Sequence, residues 1–502
     1  MRFSFRNLLT TIFALFIAFI FCLSRSAELL SRNFVFVLDQ GRDYVAVSDL
    51  VLNKKLTLIG SEIGGGYAGI NGIFQGPLHY YLLSIFYILF QGDPYGGLVY
   101  MFVFALLALV ASFFVAKIIF KNTFVSLVTA LLVALSPPIV SQAKFSWNPH
   151  PVSFFILLSF LFIYLSYKKN KKYIFLSGFL SASTYNFEIA TTVPLLLSLV
   201  IYSIFILKLK KLKEYAALFG GILIAFLPFL LFEIRHKFLA LSGFFSYITS
   251  SNHDANQGYF LINNHLEKFI YNFGNTFSSP ELIPTNIFLV VFAASFIYLA
   301  WNEKRQEVKK IISFFLILVA STIFVISFLR NTVFMYYLYH LNLVYIFSFG
   351  YILYAALQQK KFAILFLFTA ILALFSYQAL ILGFKDFRND YYDYGGYHKV
   401  KGEKEAVDYI YRDANGKKFG LFVYTPGVFT YQYDYLFQWY GKKKYGYLPS
   451  QEKIGMFYLL IEPNSYNRWA AQGWMDTIIK TGKVVETKVL PSGLIVQKRY
   501  GG

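Results

Sequence analysis

Residues 36–52 read FVLDQGRDYVAVSDLVL, a polar interruption that places Asp39, Arg42 and Asp43 within a few positions of one another. Upstream lies the apolar run 8–23, and from 96 onward apolar runs follow one another almost to residue 380. A helix crossing hydrocarbon needs about 20 predominantly apolar residues. The composition agrees, with 57% hydrophobic and only 14% charged residues, including 58 Phe and 40 Tyr in 502. A soluble globular chain carries roughly 25% charged residues. The stretch 36–52 is therefore a loop at the edge of a membrane.

Working outward from it, spans are expected near 8–23, 96–117, 123–140, 150–167, 173–188, 190–207, 214–233, 285–301, 311–329, 338–357 and 362–380. That makes eleven. The first follows Arg2 and Arg6 as a signal peptide would, but it has no small-x-small cleavage site and reads as a retained helix. Segment 78–90, LHYYLLSIFYILF, is apolar but short, the length of an interfacial or re-entrant helix.

The charges set the sidedness. Lys117 and Lys121, then Lys168, Lys169, Lys171 and Lys172, then Lys208, Lys210, Lys211 and Lys213 fill alternate turns. Lys304, Arg305, Lys309 and Lys310 fill a later one, and Lys360 with Lys361 the last. The positive-inside rule puts these turns and the N-terminus in the cytoplasm. Loops 25–95 and 234–284 and everything after 384 then face outward. The formal net charge of +20 is thus a topology signal, and no nucleic-acid surface is read from it. The single cysteine, Cys22, sits in the first span and excludes an intrachain disulfide.

Two domains are expected, a membrane domain 1–384 and an outward α/β domain 385–502 of a size to carry a modest core of its own. A helix over 402–412, strands at 419–425 and 453–461, a helix over 465–479, and two strands around Pro491-Ser492-Gly493 are predicted there.

Chemistry should concentrate where ionisable residues meet the membrane boundary. Asp39 ends the extended-looking run FVFVL, where a carboxylate can deprotonate a hydroxyl or bind a cation, with Asp43 as its partner in a metal site. Asp43 with Arg42 opens a short helix, and an acid there also suits the helix dipole. In GIFQGPLHYYLL, residues 72–83, Gln75 and His79 stand near the same face, with Pro77 starting the short helix. The loop SEIGGGYAGING, 61–72, lacks the strand and helix of a dinucleotide site and reads as a mobile loop at a substrate entrance. Lys144 in SQAKFSWNPH pairs with a phosphate or snorkels. Glu188 marks a cavity wall or an ion pair, and Arg330 offers a fork suited to oxyanions.

FVLDQGRDYVAVSDLVL, FQGPLHYYLL (74–83), the ladder of basic turns and the small outward tail together resemble the polytopic GT-C glycosyltransferases of the protein O-mannosyltransferase and lipid A aminoarabinose transferase type. The likeness is sharpest over about 36–94. It implies inverting transfer of a monosaccharide from a polyprenyl-phosphate carrier to an envelope glycan, lipid or protein, with Asp39 as catalytic base. It implies no required cofactor and leaves a divalent cation open. The motifs also differ from the family's: Gln75 or Gly76 stands where aminoarabinose transferases have a Lys, and Asp39 is followed by Gln40, not Glu.

On that resemblance Arg42, Asp43, Gln75, His79, Lys144, Glu188 and Arg330 bind the acceptor or the donor phosphate. Two other functions fit a multispan chain, a lipid-linked glycan polymerase or ligase and a lipid or solute transporter or flippase. A transporter needs paired charges at mid-span and often inverted repeats. Here the ionisable residues collect near outer ends.

Overall fold

The computed structural model describes residues 5–63, 72–249, 255–277, 283–329, 333–453, 455–464 and 467–501. Among them six helices are long and apolar enough to cross a membrane: Asn7–Arg25, Tyr95–Phe120, Leu212–Arg235, Gln306–Ser327, Met335–Gln358 and Phe362–Tyr391. Thr123–Leu135, Val152–Lys168, Ile189–Phe205 and Thr285–Trp301 are apolar but shorter. The expected span 123–140 stops early because Ser136 turns extended ahead of Pro137 and Pro138, where a preceding residue disfavours helix. The expected span 173–188 is a helix over Ile174–Ser183 followed by a tight turn, Thr184–Asn186.

Leu78–Leu89 has 12 residues, about 18 Å at 1.5 Å per residue, too short to cross. It buries His79, Tyr80, Leu83 and Tyr87 and leaves Ile85, Ile88 and Leu89 exposed, the two faces of a helix lying along a boundary. Loop 234–284, expected to face outward, contains two further helices, Leu239–Thr249 and Ala255–Thr276.

The basic turns meet at one end of the bundle. Lys168 pairs with Glu307 at 3.0 Å and Lys171 with Glu214 at 3.5 Å. Arg305 donates to the carbonyls of Ile119 (3.2 Å) and Phe120 (3.3 Å), at the end of Tyr95–Phe120. Orphan carbonyls at a helix end are a natural seat for a guanidinium. Arg25 does the same inside the bundle: fully buried, it donates to Ala134 O at 2.9 Å and Val133 O at 3.3 Å, the last turn of Thr123–Leu135.

At the other end stands the tail. Strands β1 (Gly420–Tyr424), β2 (Gly455–Ile461), β3 (Lys483–Val489) and β4 (Ile495–Gly501) form one sheet in the order β1-β2-β4-β3. β1 runs parallel to β2, while β4 runs antiparallel to both its neighbours. The helices Val400–Ala414 and Arg468–Trp474 fall where expected. The helix Tyr431–Leu436 with the turns after it was not predicted.

The tail does not keep a core to itself. Phe34, Phe36, Tyr44 and Val47 of the first loop, with Tyr80 and Leu83, pack in one cluster with Ala406, Ile410, Tyr433, Tyr435, Leu436 and Tyr458. The backbone joins them too, since Phe36 N–H donates to His398 O and Val400 N–H to Phe34 O. A smaller cluster of Tyr424, Phe457, Leu459, Ile461 and Ile479 fills the opposite face of the sheet.

Candidate active site

The first-loop helix runs Leu38–Leu52 and so begins before Asp39, which the extended reading of FVFVL had placed ahead of it. Gln40 explains the start: its side-chain oxygen accepts from Val37 N–H at 3.0 Å, a cap from the third helical position. Its amide also donates to Ser146 O at 2.7 Å, tying the helix to the turn 141–151. Gly41 leaves room for Tyr431–Leu436 to lie directly on the helix.

With the helix starting at Leu38, Asp39 and Arg42 stand one turn apart and Asp43 lies beside them. Arg42 joins the two carboxylates, 2.8 Å from Asp39 Oδ1 and 2.9 Å from Asp43 Oδ1. Asp43 is 1% exposed and Asp39 34%, so one acid is sealed and the other reachable. Behind Asp43, His79 Nε2 approaches Oδ2 to 3.3 Å, and the Tyr80 hydroxyl lies within electrostatic reach of both Arg42 and Asp43.

The two acids titrate apart. Burial lifts the Asp39 carboxyl above the ordinary carboxylate range, with Arg42 opposing and Asp43 adding to the rise. Burial would lift Asp43 as well, but Arg42 and His79 together outweigh it and hold that carboxyl below its usual value. Two carboxyls pushed in opposite directions are the pattern of a divided acid–base site.

Around Asp39 the wall is aromatic. The Trp147 side chain lies close enough to Asp39 to favour its charged form and sits edge-on to Tyr336, ring centres 4.7 Å apart. Tyr336 lies close enough to both Asp39 and Glu188 to feel their charges, which places Glu188 on the far side of that ring. Glu188 is 3% exposed and caps Ile189–Phe205, accepting from Ala190 N–H at 3.0 Å. Gln75 meets Asn148, which also donates to Phe187 O at 3.0 Å. Asn186 caps the short helix through Leu78 N–H at 3.1 Å, and only a glycine at 76 allows it so close.

The structure thus brings together Asp39, Arg42, Asp43 and His79, with Gln75 and Glu188 at the margins. Lys144 points elsewhere, to Asp390 at 2.6 Å and Glu28 at 3.3 Å. Arg330 and most of the loop 61–72 lie outside the described residues. Trp147, Tyr336 and Tyr80 had not been singled out for this site, though all three stand in aromatic stretches flanking its loops.

No family model matches the chain, and no curated relative does. Among solved structures, ArnT from Cupriavidus metallidurans bound to undecaprenyl phosphate superposes with a TM-score of 0.58 over 97% of both chains, at 11% identity. The fold is that of ArnT. The apo structure of the same ArnT gives 0.55 over 99% of this chain and 98% of that one, at 12% identity. The match to ArnT takes in the tail as well as the helices, so the GT-C architecture expected from the first loop holds along nearly the whole chain, and the protein is a multi-pass membrane protein.

Proposed function

We propose that this chain is a glycosyltransferase that moves a monosaccharide from a polyprenyl-phosphate carrier to a cell-envelope acceptor at the outer face of the membrane. One observation carries the reading: a partly exposed carboxylate, Asp39, clamped by Arg42 against a sealed Asp43–His79 pair in an ArnT fold. The undecaprenyl phosphate held by one ArnT structure supports a lipid-phosphate donor. The gathering of the basic turns at the end opposite the site supports an outward-facing site and a cytoplasmic N-terminus.

The acceptor hydroxyl attacks the anomeric carbon as the bond to the polyprenyl phosphate breaks, inverting the configuration. Asp39 takes the hydroxyl proton, and its lifted carboxyl suits a base that must also release it. Arg42 aims Asp39 and supplies positive charge beside it, while Asp43 and His79 fix Arg42. Trp147 and Tyr336 form the apolar wall of the sugar site. The charge growing on the phosphate calls for a further cation, for which Arg330 is the candidate. Lys144, engaged by two carboxylates, serves this less well.

The test is sugar release from labelled polyprenyl-phosphate monosaccharides by purified protein, with membrane extract as acceptor, beside Asp39→Asn. Release and product labelling by the wild type alone support the reading. No turnover across a broad donor panel by folded protein overturns it in favour of polymerisation or transport.

A further inference from the structure

The tail buries a set of oxygen atoms with too few donors to satisfy them, on the side of Tyr431–Leu436 away from solvent. Glu403, in the first turns of Val400–Ala414, is completely buried, and neither of its carboxylate oxygens has a hydrogen-bond partner. Glu462, the residue after β2, is 4% exposed. Its Oε1 accepts from Gln432 Nε2 at 3.1 Å and from the Tyr433 hydroxyl at 2.9 Å. Gln432 is buried in turn, and its own amide oxygen is unpartnered.

These groups are mutually close. The Tyr433 hydroxyl feels both acids and donates to Glu462, and Glu462 is the charge that acts most strongly on Glu403. Among the described residues Lys404 is the one cation that acts on Glu403. Its ammonium instead lies over the rings of Trp439 and Tyr440 and 3.8 Å from Asp93. Buried carboxylates are tolerated when paired, protonated or bound to a metal. Two carboxylates and an amide oxygen, with no sulfur or imidazole, form a hard, oxygen-only donor set of the type calcium takes.

We propose that Glu403, Glu462 and the amide oxygen of Gln432 hold a divalent cation of the calcium type. The three ligands come from a helix, the end of a strand and the short helix Tyr431–Leu436. A cation there fastens these elements to one another. Because the backbone of Gln432 rests on Gly41, it also fixes the platform under Asp39 and Arg42. The ion is structural and separate from the first-loop acids, whose charges Arg42 already meets.

The experiment uses full-length protein in detergent, stripped with EDTA and dialysed against calcium or magnesium, with bound metal counted per chain and thermal unfolding followed. The expected result is about one retained calcium per chain and a midpoint raised by about 2–5 °C. Glu403→Gln and Glu462→Gln should lose both effects, and Gln432→Glu, which adds a charge to the site, should retain calcium at lower free concentration. Asp39→Asn should retain calcium like the wild type, so this result stands apart from any measurement of turnover. No retained calcium in the wild type or in Gln432→Glu overturns the proposal. So does a Glu403→Gln protein more stable than wild type with and without calcium, the mark of a carboxyl that shares a proton. Loss of calcium in Asp39→Asn would overturn it too, by moving the ion to the first loop.

Discussion

The backbone nitrogen of Gln432 stands 2.2 Å from where a Cβ on Gly41 would begin, so the tail rests on the face of the first-loop helix opposite its two acids. Gly41→Ala must push the two elements apart. Overpacking of this kind costs about 1–3 kcal/mol. We expect a lower unfolding midpoint together with faster proteolytic cleavage in 426–450. A Gly41→Ala protein as stable as wild type would mean that the contact is loose.

Asp39→Asn keeps the shape of the side chain and removes its basicity. Turnover should fall by about 10²–10⁴, the usual worth of a general base. The unfolding midpoint should barely move, because Asp39 is partly exposed. Equal turnover by both proteins would remove Asp39 from the chemistry.

The opposite shifts of the two acids predict a pH window. A base whose carboxyl is lifted gains its proton early as the pH falls, so kcat/KM should drop on the acid side at a pH above the ordinary Asp value of about 3.9. Asp43 is held down, so the stability its charge contributes is present above about 3.9 and lost only as pH falls through its lower folded value. Mild acid should therefore give a folded but slow protein. Unfolding and inactivation that coincide along the pH axis would contradict this.

Arg42→Gln leaves the sealed Asp43 without its guanidinium. Stranding one partner of a buried pair costs about 3–5 kcal/mol. Adding Asp43→Asn should recover part of that loss, a coupling that a double-mutant cycle would read. Additive losses would show that the pair does not work as a unit.

Lys144→Ala separates two uses of a lysine. A tie between Glu28 and Asp390, partly exposed, contributes roughly 1 kcal/mol, so stability should dip while the donor KM stays constant. A rise in donor KM of tenfold or more would restore Lys144 to the phosphate.

Much of this could be read in the sequence. The basic turns gave the membrane architecture because their charges are local and repeat, and the four strands of the tail announced themselves by β-branched and aromatic runs. The start of the first-loop helix did not, because Val37 is no polar cap residue and only the Gln40 half of the cap is present. Setting that start at Leu38 would have placed Asp39 and Arg42 one turn apart, and the clamp would have followed. The meeting of Asp39 with Trp147 and Tyr336, and of Lys144 with Asp390, joins residues up to 297 and 246 positions apart (336 − 39 and 390 − 144). A single chain carries no local signal for such contacts. The same holds for Tyr431–Leu436, an aromatic segment that turns helical where it lies on Gly41.

The shared core of first loop and tail also sets an order of birth. Phe34 and Phe36 leave the ribosome early, whereas His398 and Val400, to which they bond, follow more than 350 residues later. At about 5–20 residues per second that interval is on the order of a minute or less. Until it has passed, the membrane helices can be in place while the helix carrying Asp39 still lacks its support. A chain cut short before its last fifth would carry that helix without the backbone partners of Phe34 and Phe36.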